Sequence, residues 1–193
     1  AMVLLAGLVA WSISNGPAAV YTVAGALVYA VVYTVWLKRR TWWNIVIGGL
    51  AGSFAVLAGA AAVDPALSPQ AWLLTIVLFL WTPPHFWSLA IAFRDDYAAA
   101  GVPMLPVAKG DRIAAWAITG HAVALVVLTV ALGLLSGGRV TTVLAALGGV
   151  WFVVEALRLQ LQPTRSRAMR SFAASLVELS LVLIGVMVDA AIA

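Results

Sequence analysis

The 193-residue sequence has no cysteine, only two histidines and few charges, which make up 9% of its residues. Without cysteine there is no disulfide framework, thiolate metal site or thiol nucleophile. A soluble domain carries about 25% charged residues. The scarcity of charge therefore excludes an ordinary cytosolic globule, a disordered chain and a nucleic-acid-binding module. Sustained apolar–polar alternation is also missing, and a membrane β-barrel needs alternating segments of roughly ten residues. What is abundant is apolar: 64% of residues are hydrophobic and the mean hydropathy is +1.07. These proportions predict an all-α, polytopic transmembrane helical bundle embedded in a lipid bilayer.

A helix that crosses a bilayer needs about 20 mostly apolar residues. The chain divides on that basis into about seven segments: 1–13, 18–37, 43–63, 70–92, 113–135, 140–157 and 171–189. Turn chemistry separates them, at Ser14-Asn15-Gly16-Pro17, Asp64-Pro65 to Ser68-Pro69, Ser136-Gly137-Gly138 and Gln162-Pro163-Thr164. The first segment is short and lacks a flanking positive region, so the expectation is a single transmembrane domain, 1–193, cut inside its first helix. Ten of the eleven Lys and Arg residues fall in alternate connections: Lys38, Arg39 and Arg40; Arg94, Lys109 and Arg112; and Arg158, Arg165, Arg167 and Arg170. Only Arg139 falls on the other side. The positive-inside rule makes those connections cytoplasmic, in a multi-pass protein of the cell inner (cytoplasmic) membrane. The net charge of +4 is then a matter of topology, not a general affinity for acidic partners.

Three stretches carry candidate chemistry. The connection FRDDYAAAGVPMLPVAKGDR, Phe93 to Arg112, concentrates Asp95, Asp96 and Asp111 with Arg94, Lys109 and Arg112. Adjacent carboxylates suit Mg²⁺, a hard cation held by one or two carboxylates plus substrate phosphates; a solvated loop with local ion pairs is the alternative. YTVWLKRRTWWN, Tyr33 to Asn44, reads as a topology signal with an aromatic belt and equally as an anion clamp. WTPPHFW, Trp81 to Trp87, places His85 beside two helix-bending prolines, about 13–14 Å below the cytoplasmic end. An intramembrane histidine of this kind ligates iron, moves protons or simply bonds a neighbouring helix. His121 lies at matched depth on the next segment, which opens a non-enzymatic bis-histidine haem protein as a second reading. Elsewhere, Glu155 and Arg158 are spaced to pair, Glu178 is a membrane-depth carboxyl in need of a partner, and Gly48, Gly49, Gly52, Ser53, Gly59 and Ala60 form a small-residue face for packing.

YTVWLKRRTWWNIVIGG, FLWTPPHFWSLAIAFRDDYAAAGVPMLPV and SFAASLVELSLVLIGVMVD together resemble the protohaem IX farnesyltransferases (haem O synthases) of the UbiA superfamily of intramembrane prenyltransferases. The resemblance implies a nine-helix bundle, about seven helices of which are present, around a cavity open to the cytoplasm. It implies transfer of farnesyl from farnesyl diphosphate to a vinyl group of haem B, which is substrate and not cofactor. Asp95 and Asp96 would hold Mg²⁺ and diphosphate, Lys38 and Arg39 would contact the diphosphate, and His85 would contact haem. Tyr33, Asn44, Arg94, Tyr97 and Lys109 complete the substrate-binding set within or beside these motifs. Haem A synthase or terminal-oxidase assembly proteins are the partners implied.

The sequence also departs from that pattern. The family's first Asp-rich motif has no counterpart, so the chain by itself is expected to be inactive. Asp95 and Asp96 are adjacent where the superfamily spaces them four apart, Phe54 and Ala55 stand where prolines are usual, and Glu178 replaces a tyrosine. A UbiA-type enzyme with another aromatic acceptor, such as a quinone precursor, is the nearest alternative activity.

Overall fold

The structure, a computed structural model, describes residues 2–192. Helix α1 spans Met2–Ile13, and Asn15 then starts α2 (Gly16–Leu27) by accepting from the Ala18 amide at 3.0 Å. The same side chain donates to the Ala61 carbonyl at 2.6 Å, which ties the start of α2 to a later helix. Helix α2 runs on without a break into a π-helical stretch, Val28–Leu37. After the Lys38 turn come α3 (Asn44–Gly48) and α4 (Leu50–Val63). Ser68 caps α5 (Pro69–Ala92) through the Ala71 amide at 3.2 Å. Short α6 (Arg94–Ala99) and α7 (Leu105–Lys109) lead to the long helices α8 (Asp111–Leu135), α9 (Arg139–Leu161) and α10 (Arg165–Ile192).

Six stretches are long and apolar enough to cross a membrane, with α1 as a shorter seventh, so the expected segments stand within a few residues. The chain is an integral membrane helical bundle, and the described residues contain no strand. Two details differ from the sequence expectation. The Phe93–Arg112 connection is largely helical, because Arg94 to Ala99 and Leu105 to Lys109 each close a turn. The 43–63 segment is interrupted at Gly49, which divides α3 from α4. As expected for a single 70–92 segment, α5 stays helical through Pro83 and Pro84.

Helices α5, α8, α9 and α10 each pack on the next and α10 returns to α5, closing a four-helix ring. From α5 an arm extends outward through α4 and α2 to α1. Phe152, Ile118, Leu125 and Leu159 are fully enclosed in the ring. Its close approaches need glycine: a Cβ on Gly185 would lie 2.6 Å from the Thr141 Cα, and one on Gly149 would lie 2.5 Å from Val126 Cγ2. Val127, Leu147, Trp151 and Leu183 point outward and exposed, as expected where the surrounding solvent is lipid. At the end of the ring remote from most cations, Asp189 of α10 accepts from the Val140 and Thr141 amides at 3.1 and 2.8 Å. One helix thereby caps the N-terminus of another.

Candidate functional site

The π-helical stretch positions the first wall of the site. Its i→i+5 bonding is seen in Lys38 N–H to the Tyr33 carbonyl (2.8 Å), and the Thr34 side-chain hydroxyl also donates to the Tyr29 carbonyl (2.7 Å). Tyr29, Tyr33 and Lys38, four and five residues apart, thus come to one side of the chain. They border a cleft of about 350 Å³ whose opposite wall is Trp81, Thr82 and Phe86 of α5. Gly48, Gly49 and Gly52 line it between these walls. A Cβ on Gly48 would come within 2.7 Å of the Tyr33 ring, so glycine is what lets that ring seat. The Lys38 ammonium lies 5.9 Å from the Tyr33 ring centroid. A positive head above an aromatic, water-poor slot can hold an anionic group with an apolar tail below it.

Of the residues expected from sequence, Tyr33 and Lys38 meet in this cleft. Asn44 does not face it. It is fully buried and its amide donates to the Lys38 carbonyl at 3.1 Å, so it holds the turn that carries the lysine. Arg39 is exposed beyond that turn, and Lys109 is exposed at the end of α7. Arg94, Asp95 and Asp96 are exposed on α6, outside the lining of the cleft. Arg94 pairs with Asp111 at 3.5 Å, whereas neither Asp95 nor Asp96 enters an ion pair among the described residues. Tyr97 packs against the same core as Tyr33 and Trp81, and burial pushes its phenol above the ordinary value, so it remains a neutral donor. No group of three or more acidic or histidine side chains that could hold a metal ion occurs among the described residues. A magnesium ion held by Asp95 and Asp96 would need its other ligands from phosphate oxygens and water.

His85 is buried and sandwiched between Trp81 and Phe172, with ring centroids 4.2 and 4.4 Å away. His121 meets Trp87 edge-on at 5.3 Å, and its Nδ1 bonds the Ala117 carbonyl. On α5, His85 and Trp87 are two residues and so about 200° apart. His85 faces α10 and His121 approaches the other side of α5, which removes the bis-histidine haem reading. The Glu155–Arg158 pair forms at 2.6 Å. Glu178 is wholly buried, with neither carboxyl oxygen bonded among the described residues.

Sequence reasoning missed Tyr29, Trp81, Thr82 and Phe86 as lining residues, and Ser88, Ser171 and Ser175 as polar contacts between α5 and α10. The signal was the four-and-three spacing of Trp81, His85 and Ser88, repeated by Ser171, Ser175 and Glu178, which marks one face of each helix.

The UbiA prenyltransferase family model matches residues 1–182. "Protoheme IX farnesyltransferase 2" of Paramagnetospirillum magneticum is 53% identical over 91% of this chain and 61% of its own length. "Protoheme IX farnesyltransferase 1" of the same organism is 49% identical over 91% of this chain and 62% of its own. "Protoheme IX farnesyltransferase" of Sulfurisphaera tokodaii is 40% identical over 89% and 57%. The chain thus spans about three fifths of the length of these curated relatives. No solved structure matches it. With the family model covering nearly every residue of an all-helical membrane bundle, the chain belongs to the UbiA prenyltransferase family.

Proposed function

We propose that the protein acts in the transfer of a farnesyl group from farnesyl diphosphate to a vinyl group of haem B, giving haem O. The observation that carries this reading is the aromatic cleft beneath Lys38, which suits an apolar chain with a diphosphate head. The relatives' names support the same substrates. In this reading Lys38, with Arg39 beside it, binds the diphosphate, and the Tyr97 hydroxyl donates to its oxygens. Arg94 and Lys109 add positive charge at the same end of the bundle. Asp95 and Asp96 hold Mg²⁺, which when bound stabilises the negative charge of the departing diphosphate. Tyr29, Tyr33, Trp81 and Phe86 shield the allylic cation from water and offer it their ring faces. His85 contacts the haem. The cation-rich end is cytoplasmic in the cell inner membrane, and proteins that assemble terminal oxidases receive the product.

The test is incorporation of labelled farnesyl diphosphate into haem B by membranes that contain the product of the whole gene. Labelled haem O is the expected product. Label in a quinone precursor instead would assign a different acceptor, and no labelled acceptor from a well-folded preparation would defeat the reading.

A further inference from the structure

The contacts between α5 and α10 form a polar seam inside an otherwise apolar ring. The Trp81 indole N–H donates to the Ser175 carbonyl at 2.7 Å, and the Ser88 and Ser171 hydroxyls meet at 3.0 Å. Between them, His85 Nδ1 lies 2.9 Å from Ser175 Oγ. The direction of that bond follows from counting hydrogens. A serine hydroxyl has one hydrogen to give. Ser175 Oγ lies 2.7 Å from the Phe172 carbonyl, which can only accept. The hydroxyl hydrogen is used there, so Oγ accepts and His85 Nδ1–H donates. A neutral imidazole protonated on Nδ1 has a bare lone pair on Nε2, and Nε2 makes no hydrogen bond among the described residues. The stacked Trp81 and Phe172 rings hold the imidazole plane.

We infer that Ser175 is a positioning residue for His85: it fixes the tautomer that leaves Nε2 free to take a proton in the reaction. The inference rests on the farnesyl transfer proposed above. In that reaction the bond between farnesyl C1 and the diphosphate oxygen breaks, and its electron pair leaves with the diphosphate. The vinyl carbon bonds C1, and a water oxygen bonds the cation that results. The proton released from that water passes to His85 Nε2. Farnesyl diphosphate, haem B and water thus give haem O, diphosphate and one proton. Ser175 touches none of the reacting atoms and acts only through the imidazole.

The experiment is nitrogen-15 NMR of the purified protein labelled in histidine, with His121→Gln to assign the two rings. His85 is expected to show a protonated Nδ1 and an unprotonated Nε2. Ser175→Ala should reverse that pattern, and Ser175→Thr, which keeps the hydroxyl, should preserve it. A protonated Nε2 in the unaltered protein, or an unchanged tautomer in Ser175→Ala, overturns the inference. In transferase assays of the whole-gene product, Ser175→Ala should lower kcat at least about tenfold with KM for farnesyl diphosphate unchanged, and Ser175→Thr should recover it. Unaltered kcat in Ser175→Ala would remove the proton-accepting role. A well-folded whole-gene product with the expected tautomer but no transferase activity would defeat the farnesyl-transfer reading and leave the positioning of His85 intact.

Discussion

At the scale of single residues, buried and exposed carboxyls stand in opposite positions. Glu178 is fully buried, and no hydrogen-bond partner for either oxygen occurs among the described residues. An unsatisfied buried polar group costs about 1–3 kcal/mol, and a membrane interior offers no water to relieve it. Glu178→Leu is therefore expected to raise the midpoint of thermal unfolding in detergent; a lowered midpoint would mean that the carboxyl has a partner. Asp95 and Asp96 are the opposite case. They are exposed and outside the ion pairs, so replacing them disturbs little packing. The double variant Asp95→Asn/Asp96→Asn should unfold within about 0.5 kcal/mol of the parent. Under the proposed function the whole-gene product carrying these changes should require at least about tenfold more magnesium for transfer, because it loses two charged ligands to the ion. Magnesium titrations of activity check this. A titration curve that does not move would place the metal elsewhere.

At the scale of elements, the small residues decide how closely helices approach. Gly185 on α10 lies against the backbone of Thr141 on α9, so any side chain there meets main chain that cannot swing aside. Gly185→Val is expected to cost about 1–3 kcal/mol, read as a lower unfolding midpoint. Gly59, with open space beyond its Cα, should accept alanine without such a loss. Both glycines sit in apolar helices and read alike in sequence; only the neighbouring helix distinguishes them. The same limit explains what was legible and what was not. Segment ends were readable because Asn15-Gly16-Pro17, Ser68-Pro69 and Gly137-Gly138 combine caps with helix breakers. The cleft was not, because it depends on π-helical bonding from Val28 to Leu37, and no residue type in that run announces it. Histidine depth was readable from helical rise. Rotation about the helix axis was not, and it is rotation that directs His85 to α10 and His121 to Trp87.

At the scale of the whole molecule, a closed ring and an open arm share one helix, α5. Ring helices are packed on two sides, whereas α1 packs chiefly on α2. Local opening follows the number of buried apolar contacts. Amide hydrogen exchange in detergent should therefore label α1 first, then α2, with α8, α9 and α10 last. Slower exchange in α1 than in α9 would contradict this division. The cleft lies where arm meets ring, with Tyr33 and Lys38 on one side and Trp81 and Phe86 on the other. Its width is therefore set by how α3 and α4 rest on α5, and substrate bound between the two parts would join them.

The π-helical stretch adds a dependence of a different kind. A side chain in that run is aimed by the number of residues before it as much as by its own chemistry. Deleting Ala30, which lines nothing in the cleft, would turn Tyr29 relative to Tyr33 by one residue's rotation about the helix axis. Every group that borders the cleft would still be encoded, but the residues before the deletion would turn relative to Tyr33 and Lys38. For this part of the chain, length is as much a functional requirement as composition, and a gap of one position is a more severe change than most substitutions.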